Sequence, residues 1–336
     1  MFKRGFFRIL LLGLFVMGMG SFACAGQRAV PVYVANQNPF VQIFGLPKAE
    51  PGTITPKGRF DAGFLYFVSN NAIESDAPNG ESIVWDGETT QYTLKIRYGL
   101  FESLELGVDV PLVEHGGGYL DSVIRNYHKM VGFPNNRQEL FEKNQILYQV
   151  DENGTTIYSM KEKHSGLGDV RLTAAVPLVG KELRSERHLA LRSLLKLPTG
   201  NSDYLLGSGG MDMSVGLAYS DYQTLNRWNM VFASHLGMIY MGEGEVLQGK
   251  QRNFAGYGGA SLDWLVWDFL GLKLQLDMHS AFYHSELKQL GSSMQLLSGG
   301  TLYLPSRVSV DFGISEQLVT DATPDVGFYL LIRHLF

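Results

Sequence analysis

Strict period-two alternation recurs along this chain, and it constrains the fold more than any other feature. Across residues 91–98, Tyr92, Leu94, Ile96 and Tyr98 share one face while Gln91, Thr93, Lys95 and Arg97 share the other, as a strand lying between oil and water requires. The same pattern marks twelve segments: 60–68, 91–98, 104–110, 169–176, 189–197, 211–219, 228–240, 254–264, 270–278, 296–304, 307–314 and 328–336. Their sixteen charged side chains all fall on one face: Asp61, Lys95, Arg97, Glu105, Asp109, Asp169, Arg171, Arg192, Lys196, Asp212, Asp263, Lys273, Asp277, Arg307, Asp311 and Arg333. A charge on a lipid-facing strand costs about 2 to 4 kcal/mol at the bilayer midplane, so exclusion from one face is what a membrane imposes. Ten of the twelve segments leave little choice of register, and that of 296–304 is ambiguous. The pattern predicts an all-β fold, a single closed antiparallel transmembrane β-barrel of about twelve strands.

Loop lengths separate this reading from a soluble sandwich, whose loops are similar at both ends. With the last strand descending to the periplasm, the outer connections are 69–90, 111–166, 198–210, 241–253, 280–295 and 316–325. The inner ones are 99–103, 177–188, 220–227, 265–269 and 305–306. Long outside and short inside is the outer-membrane asymmetry. Aromatics at segment ends, among them Tyr98, Phe101, Trp228, Tyr240, Trp264 and Trp267, suit the headgroup level.

The flanking residues agree. Lys3, Arg4 and Arg8 precede an apolar run and the small residues Ala23-Cys24-Ala25, the pattern of a secretory signal cleaved after Ala25. That cleavage removes the only Cys of the chain, and with it any thiolate chemistry. The expected division is a signal peptide over 1–25, an N-terminal extension over 26–57 in the lumen or the periplasm, and the barrel over 58–336. A net charge of -5 without a basic run argues against a nucleic-acid partner. A mean hydropathy of -0.02 fits a barrel, because alternating strands average out. No metal or cofactor site is expected, since no His pair has ligand spacing beside a carboxylate. Phe328, Leu330, Ile332 and Phe336 share one face of the last segment and are read as the assembly signal. Expected partners are therefore outer-membrane lipids, the barrel-assembly machinery, periplasmic chaperones and a small solute.

Asn36-Gln37-Asn38-Pro39, Phe44-Gly45-Leu46-Pro47, Gly166-Leu167-Gly168-Asp169 and the terminal strand together resemble the bacterial barrel family known as domain of unknown function 3187. Gly166 to Asp169 followed by Lys196-Leu197-Pro198-Thr199-Gly200 is similar, more locally, to outer-membrane barrels associated with aromatic-compound catabolism. The first resemblance implies an outer-membrane location and a barrel, and it assigns no catalytic residue.

Two readings of the lumen-lining candidates Lys95, Arg97, Glu105, Asp109, Asp169, Arg171, Arg192, Lys196, Asp212, Lys273, Asp277, Arg307 and Asp311 stay open. In one, opposite charges pair to fill the lumen, with Asp61 and Arg333 pairing where the barrel closes and Arg97 with Glu105 across the 99–103 turn. In the other, Lys95, Arg97, Arg171, Arg192 and Lys196 form a constriction facing Asp109 and Asp169, as charged rings do in pores. Within 111–166, Leu120, Ile124, Tyr127 and Met130 or Val131 follow helical spacing, and the spacing predicts a hairpin over 146–158 about Glu152-Asn153-Gly154; this loop is a lid, an inward-folded plug or a surface loop covering the barrel rim. The leading function is a pore or transporter for small solutes. A lipid-modifying hydrolase using His235 or His279 with Ser214 and Asp277, and a structural or adhesive barrel, are the alternatives.

Overall fold

The computed structural model describes residues 29–117, 146–180, 185–319 and 321–336. The expected signal peptide and the helical spacing at 120–131 lie outside these residues. Fifteen strands form one sheet: β1 (Phe60–Asp76), β2 (Glu81–Phe101), β3 (Leu104–Gly116), β4 (Leu147–Glu152), β5 (Thr155–Met160), β6 (His164–Leu167), β7 (Arg171–Val179), β8 (Arg187–Lys196), β9 (Asp212–Asp221), β10 (Met230–Met241), β11 (Phe254–Trp267), β12 (Leu270–His279), β13 (Ser293–Leu304), β14 (Val308–Val319) and β15 (Val326–Leu335). Every strand pairs antiparallel with its neighbours in the sheet, and β1 pairs with β15 from Asp61↔Leu335 to Asn70↔Val326. The ladder of the wall therefore closes on itself through β1 and β15, the one way a sheet satisfies its backbone in lipid. No helix among the described residues is long and apolar enough to cross a membrane.

β6 and β7 lie end to end along β3 and make one wall strand, interrupted at 168–170. The wall thus has twelve strands, as the alternation predicts. Leu94, Leu106, Leu172, Leu217, Leu236, Leu274 and Leu330 point outward and are exposed. Phe60, Phe101, Trp228, Trp264, Trp267 and Phe336 stand outward near the periplasmic rim, and Tyr240 and Phe254 near the other. The protein is a closed β-barrel with an apolar outer face.

The structure revises the expected connection 69–90. β1 and β2 continue above the wall to a turn at 77–80, and the 21 residues of β2 are about twice what a tilted spanning strand needs. There the inward face turns apolar, with Ile83 and Trp85 fully buried, so the polar-inward code of the barrel reverses and hides the strand. β4 and β5 form the expected hairpin, its turn residues Asn153 and Gly154 both at positive φ, which suits the twist of the strands. β4 pairs with β2, giving a four-stranded extension in the order β5-β4-β2-β1. The ambiguity at 296–304 also resolves: Leu297 points inward, where it is buried in one cluster with Val32, Tyr329 and Leu331.

Candidate functional site

The lumen is occupied by residues 29–56 of the chain itself. Pro31, Pro39, Pro47, Pro51 and Pro56 keep this segment extended and deny it ladder donors, so wall side chains take up its backbone groups. It starts where the Tyr222 hydroxyl donates to the Ala29 carbonyl (3.2 Å) and rises past Lys273, which donates to the Val30 carbonyl (2.7 Å). Gln275 then accepts from the Val32 amide (2.8 Å) and donates to its carbonyl (3.1 Å). Asn36 hydrogen-bonds the His279 ring (2.8 Å). The segment reverses at 38–42, where the Asn38 side chain accepts from the Phe40 amide (2.9 Å). On its return the Gly45 amide donates to Asp212 (2.7 Å), the Gly52 amide to Ser220 (3.0 Å) and the Thr55 amide to Glu105 (2.6 Å).

The tip of this plug is apolar. Phe40 stacks on Trp85 with ring centroids 5.0 Å apart, and Phe44 meets Phe282 and Tyr283 edge-on. Ile83, Val150, Leu205, Ile239, Val246, Leu287 and Leu290 complete one buried cluster around it. The extracellular mouth is therefore closed by a hydrophobic core, built from the same extensions that rise above the wall.

Below the tip the contacts are ionic. Glu50 of the plug lies 2.8 Å from Arg97, 3.5 Å from Lys95 and 3.4 Å from Arg192. Arg97 also binds Asp109 (2.7 Å), which accepts from the Tyr33 hydroxyl (2.5 Å). Arg192 binds Glu105 (3.0 Å) and donates to the Pro51 and Thr53 carbonyls. Arg171 donates to the Gln42 and Phe44 carbonyls (3.1 and 3.2 Å). Lys196 binds Asp169 (2.6 Å), Asp212 (3.2 Å) and the Ile43 carbonyl (3.1 Å). Each of the five cations expected to line a constriction is thus bound to the plug. At the periplasmic end a vestibule of about 440 Å³ remains between residues 52–57 and Pro177, Gly180 and His188.

A family model for proteins of unknown function, DUF3187, matches residues 10–336. The chain belongs to that family. No curated protein matches it. Among solved structures, an outer membrane channel from Pseudomonas putida F1 is similar at a TM-score of 0.56 and 14% identity, covering 86% of this chain and all of the channel. The toluene transporter TbuX of Ralstonia pickettii is similar at a TM-score of 0.40 and 9% identity, covering 83% of this chain and 90% of the transporter. The first likeness shows a shared barrel fold.

In this DUF3187 barrel the other candidate residues fall as follows. Arg333 lies 3.4 Å from Asp61, which also faces Lys95 at 3.4 Å. Arg97 and Glu105 do not meet, because the register sets Gly107 opposite Arg97. Lys273 binds Asp311 (2.7 Å), with Asp263 at 3.7 Å. Asp277 accepts from Gln275 (2.8 Å), and His235 lies 3.8 Å from it. Arg307 does not line the lumen. It sits exposed in the periplasmic turn Pro305–Arg307 at a φ of 60°, because the apolar alternation of β14 begins only at Val308. No hydrogen bond joins Ser214 to either His235 or His279 among the described residues. Sequence reasoning missed Glu50, Tyr33 and Lys48. All three lie in a segment without periodicity, and an isolated acid among prolines was the only signal.

Proposed function

We propose that the protein is an outer-membrane channel for small solutes, closed in this conformation by its own residues 29–56. The observation that carries the reading is the binding of Glu50 to Lys95, Arg97 and Arg192. A barrel serving only as scaffold has no need of a separate luminal segment held by ion pairs, whereas such pairs break and re-form with modest rearrangement of the wall. The periplasmic vestibule supports the same reading, since it leaves the base of the plug accessible. Passage requires the plug to move aside, which uncovers a wall lined by charges of both signs. In this reading residues 1–25 are the export signal, and the outward row Phe328, Leu330, Ile332 and Phe336 is what the barrel-assembly machinery and periplasmic chaperones engage.

Conductance in planar bilayers tests it. The wild-type chain is expected to be mostly closed with brief openings, and Glu50→Ala is expected to open more often. Bilayers that stay sealed with both proteins, folded and inserted, overturn the reading.

A further inference from the structure

Lys48 differs from every cation described above. It is 6% exposed, and its ammonium has no hydrogen bond or ion pair among the described residues; its one close neighbour of note is the Tyr33 ring, 5.4 Å away. A buried ammonium with three unused donors is costly. Lys48 lines a cavity of about 30 Å³ between plug and wall, together with Arg97, Arg192, Thr173, Ser214 and Tyr257. The Thr173 hydroxyl is also buried without a partner.

Glu50 borders the same cavity, but the nearby carboxylates are already engaged. Glu50 serves Lys95, Arg97 and Arg192; Asp109 serves Arg97; Glu105 serves Arg192; Asp61 serves Lys95 and Arg333. The cations these four acids bind are Lys95, Arg97, Arg192 and Arg333. Arg171 is met by backbone carbonyls alone. Lys48 and Arg171 are therefore the two without an ion pair to a carboxylate among the described residues, whereas Lys196, the neighbour of Arg171 on β8, has both Asp169 and Asp212.

We propose that this cavity binds one small monovalent anion of halide size. Lys48 on the plug and Thr173 on β7 donate to it, and Arg97 and Arg192 supply the positive field. One water needs roughly 10–15 Å³ by the same measure, so the cavity suits a single ion somewhat larger than water. Because its donors come from plug and wall together, the bound anion fastens the plug in place. The site stands on its own residues and does not depend on what the channel passes.

Bromide is the probe. Crystals of the full-length processed chain grown in sodium bromide are expected to show an anomalous peak between Lys48 and Thr173, absent in Lys48→Met. In detergent at constant ionic strength, bromide in place of gluconate is expected to raise the melting temperature by a few degrees, a shift lost in Lys48→Met and reduced in Thr173→Val. Ordered density in the wild-type cavity without an anomalous signal identifies a water and overturns the proposal. So does a bromide-dependent shift that is equal in wild type and Thr173→Val with no peak in the cavity. The wild-type crystal decides the matter even where Lys48→Met fails to fold.

Discussion

Glu50 and Arg97 stand 47 residues apart in sequence and 2.8 Å apart in the lumen. The plug contributes the carboxylate and the wall the guanidinium, which is itself only 1% exposed. Removing one partner of a buried pair typically costs about 3–5 kcal/mol, because the other charge is left uncompensated. Glu50→Ala strands parts of three cations at once, although Asp109, Asp61 and Glu105 retain their own bonds to them. The expected outcome is a barrel that still folds but whose plug is seated more weakly, read as a higher open fraction in single-channel recordings and faster protease cleavage within 29–56. Glu50→Asp, which keeps the charge, is expected to fall between the two.

A covalent tether tests whether the plug must move. A Cβ placed on Gly45 lies 3.1 Å from that of Asp212, close enough for a disulfide after a small outward adjustment. Lys196 keeps Asp169 as its partner when Asp212 is replaced. Gly45→Cys with Asp212→Cys, once oxidised, is expected to abolish solute-driven liposome swelling, and reduction is expected to restore it. Equal swelling in the oxidised and reduced forms would show that solute bypasses the plug.

The wall was legible in the sequence because lipid permits no charge on one face of a strand. That single rule places Lys95, Arg97, Asp109 and Lys273 inward without any knowledge of their partners. It fails wherever the solvent changes. Above the membrane, Ile83 and Trp85 bury themselves inward on the plug tip, so the expected loop at 69–90 is a continuous hairpin. In the lumen, Leu65, Phe67 and Leu331 share the inward face of Asp61 and Arg333, as the alternation requires, and only Leu297 needed Val32 and Tyr33 beside it to fix its side. The plug itself obeys no period: its prolines hold it extended, and its partners are chosen by the wall. Which cation meets which acid is a matter of register and of the plug's path, so Arg97 finds Glu50 and Asp109 rather than the Glu105 that a turn alone suggests.

The extracellular cap carries a pH dependence of its own. Glu81 stands at the top of β2, above the part of that strand that pairs with β3. It binds Lys250 (2.6 Å) and accepts from Ser285 (2.8 Å), the Glu286 amide (2.9 Å) and Asn79 (2.9 Å). Burial raises its pKa, but these donors outweigh burial and hold it at about 2. A carboxylate with a depressed folded pKa stabilises above its unfolded value and loses that contribution as pH falls through the folded one. The cap is therefore expected to be intact at pH 5 and to loosen as pH approaches about 2, where pepsin should begin to cleave the β4–β5 hairpin. Glu81→Gln should be cleaved with little change across the same range. Cleavage of the wild type that is independent of pH, after correction for pepsin's own profile, would refute the assignment.

The outward face offers the most direct measure of what surrounds the barrel. Leu274 lies in mid-strand on β12, half exposed, and its neighbour Lys273 points inward to Asp311. Two adjacent residues thus face opposite solvents. Leu274→Arg is expected to destabilise the inserted barrel by about 2–4 kcal/mol, the cost of a cation at the bilayer midplane. Leu274→Met should be nearly neutral, as volume-conserving apolar exchanges are. Lys273→Met removes a charge and yet is expected to destabilise, because Asp311 is then buried with Thr301 alone as a side-chain donor. Urea-dependent folding into lipid vesicles, followed by tryptophan fluorescence, measures all three. A neutral Leu274→Arg would mean that water, rather than hydrocarbon, bathes that face.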